Sequence, residues 1–190
     1  MVEEWQDSFL NSITKPEQIL RKFKVDVEPL KAVIAEYPMR VSEYYFDLIT
    51  EVGDPIWKQC IPSPLELHDP SGLEDPLNEE GDSPVPGLVH RYPDRVLMCV
   101  SNSCSTYCRF CTRKRKVGKY AGDFSNDVLV EQIRYVERSS TIRDILLSGG
   151  DPLLLPDDKI DFLLQKLRAI DHVEMLRLGS RVPCTLPQRI

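Results

Sequence analysis

The sequence predicts an α/β fold: an open part of a (β/α) barrel, preceded by a helical amino-terminal region and a proline-rich connector. Three observations carry this. Three short apolar runs, Val96–Val100, Ile145–Leu147 and Val173–Leu178, read as strands buried in a sheet. A helical pattern separates each from the next, which is the signature of βαβ units and a parallel sheet. The residues with chemical capability follow the strands directly, where ligands bind in parallel α/β folds and barrels. Three such units do not close a barrel of six or eight strands. The 190-residue chain therefore reads as part of a longer protein, stopping at or near a further strand.

Taken in order, the first fifty residues read as short helices. Trp5, Phe9 and Ile13 recur at four-residue spacing, and Pro16 suits a helix start with Ile19, Leu20 and Phe23 on one face. Leu30, Val33, Ile34 and Tyr37 give a third stripe, which Pro38 ends. Val41, Tyr44, Tyr45, Leu48 and Ile49 give a fourth, stopped by Gly53 and Pro55. These stripes are core or subunit contact. From Gly53 to His90 seven prolines (Pro55, Pro62, Pro64, Pro70, Pro76, Pro84, Pro86) and the acidic Glu79–Asp82 stretch exclude long regular elements. Trp57, Ile61, Leu65 and Leu67 are too apolar for a free linker, so this segment is expected to wrap a core. Beyond the first strand, Ser125 or Asn126 caps a helix with Leu129, Ile133 and Val136 on its apolar face. A second helix from about Asp157 carries Ile160, Leu163, Leu164, Leu167 and Ile170.

Composition narrows the function classes. With 42% hydrophobic and 28% charged residues the chain is an ordinary globular one. No apolar run is long enough to span a membrane, and the start at Met1–Trp5 lacks the basic-then-apolar texture of a signal peptide. A cytoplasmic protein is expected, in which six cysteines suit metal ligation or burial better than disulfides. A net charge of −6 argues against a general nucleic-acid binder, the basic run Arg113–Lys116 being a local exception.

The chemistry centres on Cys104-Ser-Thr-Tyr-Cys108-Arg-Phe-Cys111-Thr-Arg-Lys-Arg-Lys116. Three thiolates at C-x3-C-x2-C spacing, with no fourth nearby, can ligate three irons of a [4Fe–4S] cube and leave the fourth iron open. The same three can instead hold zinc, with His90 or a distant cysteine as fourth ligand, in an interaction module that uses the basic run. Gly149-Gly150-Asp151-Pro152 follows the second strand. It is either a tight turn or a place where backbone approaches a ligand closely. Cys60, Cys99 and Cys184 carry no assigned role, and Cys99, in an apolar strand, is expected in the core.

The spacing C-x3-C-x-aromatic-C resembles the signature of the radical S-adenosyl-L-methionine (SAM) enzymes, in which the open iron chelates SAM. Further stretches resemble the lysine 2,3-aminomutase family of radical SAM enzymes, over its amino-terminal part only. They are Asp54–Lys58, Asp82–Val96, the cysteine loop with Thr112 and Arg113, Leu146–Leu153, Ser180–Pro183 and Leu186–Ile190. The resemblance implies an incomplete radical-SAM-type (β/α) barrel over residues 95–190, preceded by a helical region (1–52) and a proline-rich wrapping segment (53–94).

It also implies an isomerase that uses a [4Fe–4S] cluster, SAM and pyridoxal 5′-phosphate (PLP) to move an amino group from the α to the β carbon. The first candidate reaction is L-lysine to β-lysine, with glutamate 2,3-aminomutase as the alternative. Cys104, Cys108 and Cys111 match the cluster ligands. Phe110, Gly149, Gly150 and Asp151 match SAM contacts. Arg113 matches the arginine that binds the substrate carboxylate, and Arg91, Tyr92 and Arg95 match the PLP-contacting segment. The lysine that anchors PLP, the acidic substrate-recognition residues and most structural zinc ligands match positions beyond Ile190, so the chain alone is expected to be inactive. The implied partners are a small amino-acid substrate, an external electron donor and further copies of the same chain.

Overall fold

The computed structural model describes residues 4–68, 72–119 and 124–190; Met1–Glu3 and Pro70, which the sequence reading uses, lie outside them. In chain order the elements are α1 (Glu4–Leu10), α2 (Glu28–Glu36), α3 (Glu43–Asp47), α4 (Pro55–Cys60), β1 (Leu88–Tyr92), β2 (Arg95–Ser101), α5 (Asn126–Arg138), β3 (Asp144–Gly149), α6 (Asp157–Arg168), β4 (Met175–Leu178) and α7 (Val182–Thr185). Short 3-10 turns occupy Pro16–Arg21, Pro64–Leu67, Pro152–Leu154 and Pro187–Arg189. The chain forms two compact units. One is helical and comprises residues 1–74, 104–120 and 181–190; the other contains the sheet and comprises residues 75–103 and 121–180.

The sheet unit follows the expected alternation. β2, β3 and β4 pair in parallel in that order, with α5 and α6 as the crossovers. Ser125 caps α5 by accepting the Val128 N–H. Leu129, Ile133 and Val136 of α5 pack with Leu163 and Leu167 of α6 against Val96, Met98, Val100, Ile145 and Leu147. At the start of the parallel strands Arg177 grips Asp144 with both guanidinium arms, at 3.1 and 2.7 Å.

Two expectations for this unit need correcting. Leu97 and Cys99 are only half-buried, because successive strand side chains point to opposite faces and only one face of β2 meets this core. Cys99 is therefore not a core residue. The second correction concerns the proline-rich segment, whose end is a strand. β1 pairs antiparallel with β2 (Leu88 with Met98, Val89 with Leu97, Tyr92 with Arg95), so the sheet is mixed. The two residues between the strands, Pro93 and Asp94, make the turn.

In the helical unit Phe23 packs edge-on against Phe46 and Trp57, at ring distances of 5.9 and 5.3 Å, within a core that includes Ile13, Ile19, Leu30, Val41, Tyr45 and Ile49. The stripe beginning at Trp5 is shorter than predicted. α1 ends at Leu10, and Ile13 instead bridges Val41 through paired backbone hydrogen bonds of 2.7 and 2.9 Å. Leu20, Tyr44 and Leu48 are exposed, because the helical turns carrying them are too short to bury a full stripe. Asp54 opens α4 by accepting the Trp57 N–H at 2.7 Å and the Thr50 N–H at 2.8 Å, with Pro55 in the first turn. The family-like stretch Asp54–Lys58 is thus a capped helix start. The last residues, 182–189, form helical turns.

Candidate active-site loop

Residues 104–119 have no regular secondary structure, and both side-chain and backbone hydrogen bonds hold them in place. Ser105 and Thr106 are the buried residues between the first two cysteines. The Ser105 hydroxyl shares a 2.7 Å hydrogen bond with that of Thr185, and Thr106 Oγ1 accepts the Ser42 N–H at 3.4 Å. The Tyr107 N–H donates to the Arg40 carbonyl at 2.8 Å, and the Arg109 N–H to the Gln59 carbonyl at 2.9 Å. These contacts fix the loop's path and leave the three cysteines half-buried, none of them in a disulfide.

The strongest anchor is ionic. Arg109, between Cys108 and Phe110, forks onto Glu66: Nε lies 3.1 Å from Oε1 and Nη2 2.7 Å from Oε2. Its other donors reach the Pro38 and Tyr37 carbonyls just past the end of α2, at 3.0 and 3.4 Å. Lys114 also donates to Glu66, and its ammonium sits 4.3 Å from the Tyr37 ring centre. Glu66 belongs to a capping box, since its Oε1 accepts the Ser63 N–H at 2.8 Å. Burial pushes the Glu66 carboxyl up, but Arg109, Lys114 and the Ser63 amide together hold it below the usual carboxylate range.

Cys104, Cys108 and Cys111 line one cavity with Tyr37, Pro38, Tyr107 and Val117. Among the described residues no three His, Cys, Asp or Glu side chains converge on a single ion. In a cube each thiolate binds a different iron. Three cysteines on one loop, lining one cavity whose wall also includes Arg109 and Lys114, fit that donor pattern. Of the candidate fourth zinc ligands, Cys60 and His90 have other partners. Cys60 is buried and donates to the Ile56 carbonyl, and burial pushes its thiol up to about 12. His90 is engaged through Nδ1 with the Tyr135 hydroxyl at 2.8 Å.

The remaining predicted residues are distributed as follows. Phe110 is exposed, and Arg113 is half-buried at the start of the basic run. In the sheet unit the glycine turn packs onto the exit of β2. The Gly150 N–H donates to the Ser101 carbonyl at 2.5 Å and the Asp151 N–H to the Ser103 carbonyl at 2.7 Å. Gly149 has φ +105°, and a Cβ on Gly150 would lie 2.3 Å from the Ser103 carbonyl oxygen. Asp151 is buried, accepting from the Leu153 N–H and the Ser180 hydroxyl. Arg91, Tyr92 and Arg95 lie at the β1–β2 turn, where Arg91 donates to the Leu77 carbonyl and Arg95 forks onto Asp94. Arg95 pairs with Asp144 and Ser101 with Gly149, so this trio and the glycine turn are at opposite ends of the sheet, about 20 Å apart along β2. The PLP role of the trio therefore rests on the resemblance alone.

Sequence reasoning missed Glu66, Ser105, Thr106 and Arg109 as anchors, and Arg181, which donates to the Cys108 sulfur. Only Glu66 had a local signal, the Ser63-Pro-Leu-Glu66 capping box.

Residues 98–188 match the family model of the radical SAM superfamily. The chain is 43% identical to an L-lysine 2,3-aminomutase of Acetoanaerobium sticklandii over 99% of its own length and 48% of the relative's. Against the L-lysine 2,3-aminomutase of Methanococcus maripaludis identity is 48%, over 85% of the chain and 38% of the relative. A glutamate 2,3-aminomutase of Clostridioides difficile is 38% identical, over 98% of the chain and 45% of the relative. The chain spans about half the length of the curated relatives it matches. The matched residues take in most of β2, all of β3 and β4, and both crossovers.

Proposed function

We propose that the protein containing this chain is a radical SAM aminomutase that moves an amino group from the α to the β carbon, with L-lysine as substrate and β-lysine as product. The observation that carries the reading is the set of three cysteines on one anchored loop, none in a disulfide and all lining one cavity, in a chain similar to L-lysine 2,3-aminomutases. Cys104, Cys108 and Cys111 would hold a [4Fe–4S] cluster, which when bound supplies the electron that cleaves SAM and opens the radical chemistry. The apolar side of the cavity, Tyr37, Pro38 and Val117, limits water beside the thiols. Phe110 and the Gly149–Asp151 turn are assigned to SAM, the turn offering backbone that no side chain screens. Arg113 is assigned to the substrate carboxylate, where its planar fork makes two parallel hydrogen bonds and so fixes orientation. Arg91, Tyr92 and Arg95 are assigned to PLP by the family match. Glutamate is the second substrate reading, favoured by the 38% identity to a glutamate 2,3-aminomutase.

Residues 1–52, 53–94 and 95–190 are taken as the helical region, the wrap and the barrel part. An external electron donor, self-association and a cytoplasmic setting belong to the same reading. Among the described residues no helix is long and apolar enough to cross a membrane.

The test is anaerobic reconstitution with iron and sulfide, followed by addition of SAM to the reduced protein. Iron–sulfur absorbance and a paramagnetic resonance spectrum that changes with SAM support the reading. A colourless protein that retains stoichiometric zinc supports the interaction module instead. Replacing Cys104, Cys108 or Cys111 by Ala is expected to abolish cluster assembly, whereas Cys99→Ala leaves it intact. Comparing β-lysine and β-glutamate formation then separates the two substrates.

A further inference from the structure

The stretch Ser180–Pro183 belongs to the family-like pattern, yet the proposed function gives it no task. Arg181 in that stretch opens α7 and is half-buried. Its Nη1 donates to the Cys108 sulfur at 2.6 Å. Its Nη2 donates to the Tyr45 hydroxyl at 3.1 Å and to Gln59 Oε1 at 2.9 Å. The Tyr45 hydroxyl bonds Gln59 Oε1 at 3.2 Å, and Gln59 Nε2 donates to the Pro55 carbonyl at 3.1 Å. The guanidinium also lies 5.6 Å from the Tyr45 ring centre and 5.8 Å from that of Phe110. One nitrogen is thus committed to the scaffold and the other to the sulfur. Tyr45 and Gln59 hold the guanidinium beside Cys108.

We propose that Arg181 is a positioning residue for the cluster, donating a charge-assisted N–H···S hydrogen bond to the Cys108 ligand and thereby raising the cluster's reduction potential. The inference rests on the iron–sulfur reading above. Reduction adds one electron, and so one negative charge, to a cluster already bound by anionic thiolates. A hydrogen bond and a positive charge at a ligating sulfur stabilise that added charge more than they stabilise the oxidised state. Hydrogen bonds to cluster sulfurs are among the main determinants of potential. Because the cation is partly desolvated, the effect is larger than an exposed arginine would give. Reduction by the electron donor becomes easier, at the cost of some driving force for the cleavage of SAM.

The experiment is a potentiometric titration of the reconstituted protein without SAM, following the reduced cluster by paramagnetic resonance and measuring iron per chain in parallel. In Arg181→Gln the midpoint is expected to fall by at least a tenfold change in the equilibrium constant for reduction, about 59 mV for a one-electron couple. Arg181→Lys, which keeps the charge but not the fork, is expected to recover part of that loss. Tyr45→Phe, which removes one support of the guanidinium, is expected to show a smaller fall. A wild-type midpoint in Arg181→Gln at equal iron content overturns the inference and leaves the iron–sulfur reading standing. Should Arg181→Gln fail to assemble a cluster, unchanged midpoints in both Arg181→Lys and Tyr45→Phe overturn it. A wild-type protein that assembles no iron–sulfur cluster overturns the underlying reading and this inference together.

Discussion

The cysteine loop and the glycine turn are both non-repetitive segments that follow a parallel strand, and they are held in opposite ways. The loop at 104–119 has two backbone hydrogen bonds to distant segments, from Tyr107 and Arg109, and is otherwise fixed by side chains: Ser105, Thr106, Arg109 and Lys114 reach partners that are distant in sequence. The turn at 149–151 is fixed by backbone, through the amides of Gly150 and Asp151 on the Ser101 and Ser103 carbonyls, with no room for a Cβ. A side-chain anchor can be weakened step by step, by charge, by shape or by pH. A backbone contact is either admitted or blocked. The two segments should therefore respond to substitution differently.

The largest effect is expected at the turn. In Gly150→Ala the new methyl would meet the Ser103 carbonyl oxygen at 2.3 Å and the Ser103 nitrogen at 2.7 Å, both rigid backbone atoms. Relief requires moving the end of β2 or β3, at a cost of about 4 kcal/mol or loss of the folded state. Urea unfolding followed by circular dichroism reads this directly. A stability within about 0.5 kcal/mol of wild type would mean that the turn is not backbone-locked.

A smaller effect is expected from the loop's ionic anchor. Glu66→Leu leaves Arg109 and Lys114, whose side chains are only 7% and 22% exposed, without their carboxylate. Breaking such a pair from one side costs about 3 kcal/mol. The loss should be accompanied by faster proteolysis within residues 104–119 and poorer iron incorporation. Normal incorporation with a full loss of stability would show that the anchor serves the fold and not the loop.

The same carboxylate gives a pH dependence with a definite sign. Its folded-state value is depressed, so the stabilisation is present above the ordinary glutamate range and is lost as pH falls through the folded value. The stability gap between wild type and Glu66→Leu should therefore be constant near neutrality and narrow as pH drops below about 4. A gap that persists unchanged at the lowest pH of the folded protein would remove the ion pair as its cause.

The difference between the two segments also explains what could be read from the sequence. The strands and crossovers were legible because burial imposes a period, and the cysteine spacing because three ligands on one loop must be close in the chain. Gly149-Gly150 was legible as close backbone approach, but what it approaches, the exit of β2, depends on strand register. The anchors of the loop were not legible in the same way. Arg109 and Glu66 are 43 residues apart, and Arg181 and Cys108 are 73 apart. No local period links such partners. Ser63–Glu66 carried a capping signature, yet the signature accounts for only one of the bonds Glu66 accepts. The β1 strand was hidden by the prolines before it, although Tyr92-Pro-Asp-Arg95 has the two-residue spacing of a hairpin.

The smallest effect is expected at Lys114, and it tests whether the anchor is a fork or a sum of charges. Lys114 and Arg109 meet the same Glu66 oxygen, but Arg109 also holds Oε1 and the two carbonyls after α2. Lys114→Met removes a cation and keeps an unbranched apolar stem against Tyr37. Glu66 would still be satisfied by the Arg109 fork and the Ser63 amide, so the carboxylate is not left buried without partners. The loss should be about 1 kcal/mol or less, with iron incorporation unchanged. Arg109→Met, by contrast, should approach the cost of Glu66→Leu, because Arg109 alone among the described residues reaches both carboxylate oxygens and the Tyr37 and Pro38 carbonyls. Equal losses in Lys114→Met and Arg109→Met, measured by urea unfolding at neutral pH, would show that net charge holds the loop. The directional hydrogen bonds of the guanidinium would then have to be given up as the reason for an arginine between the second and third cysteines.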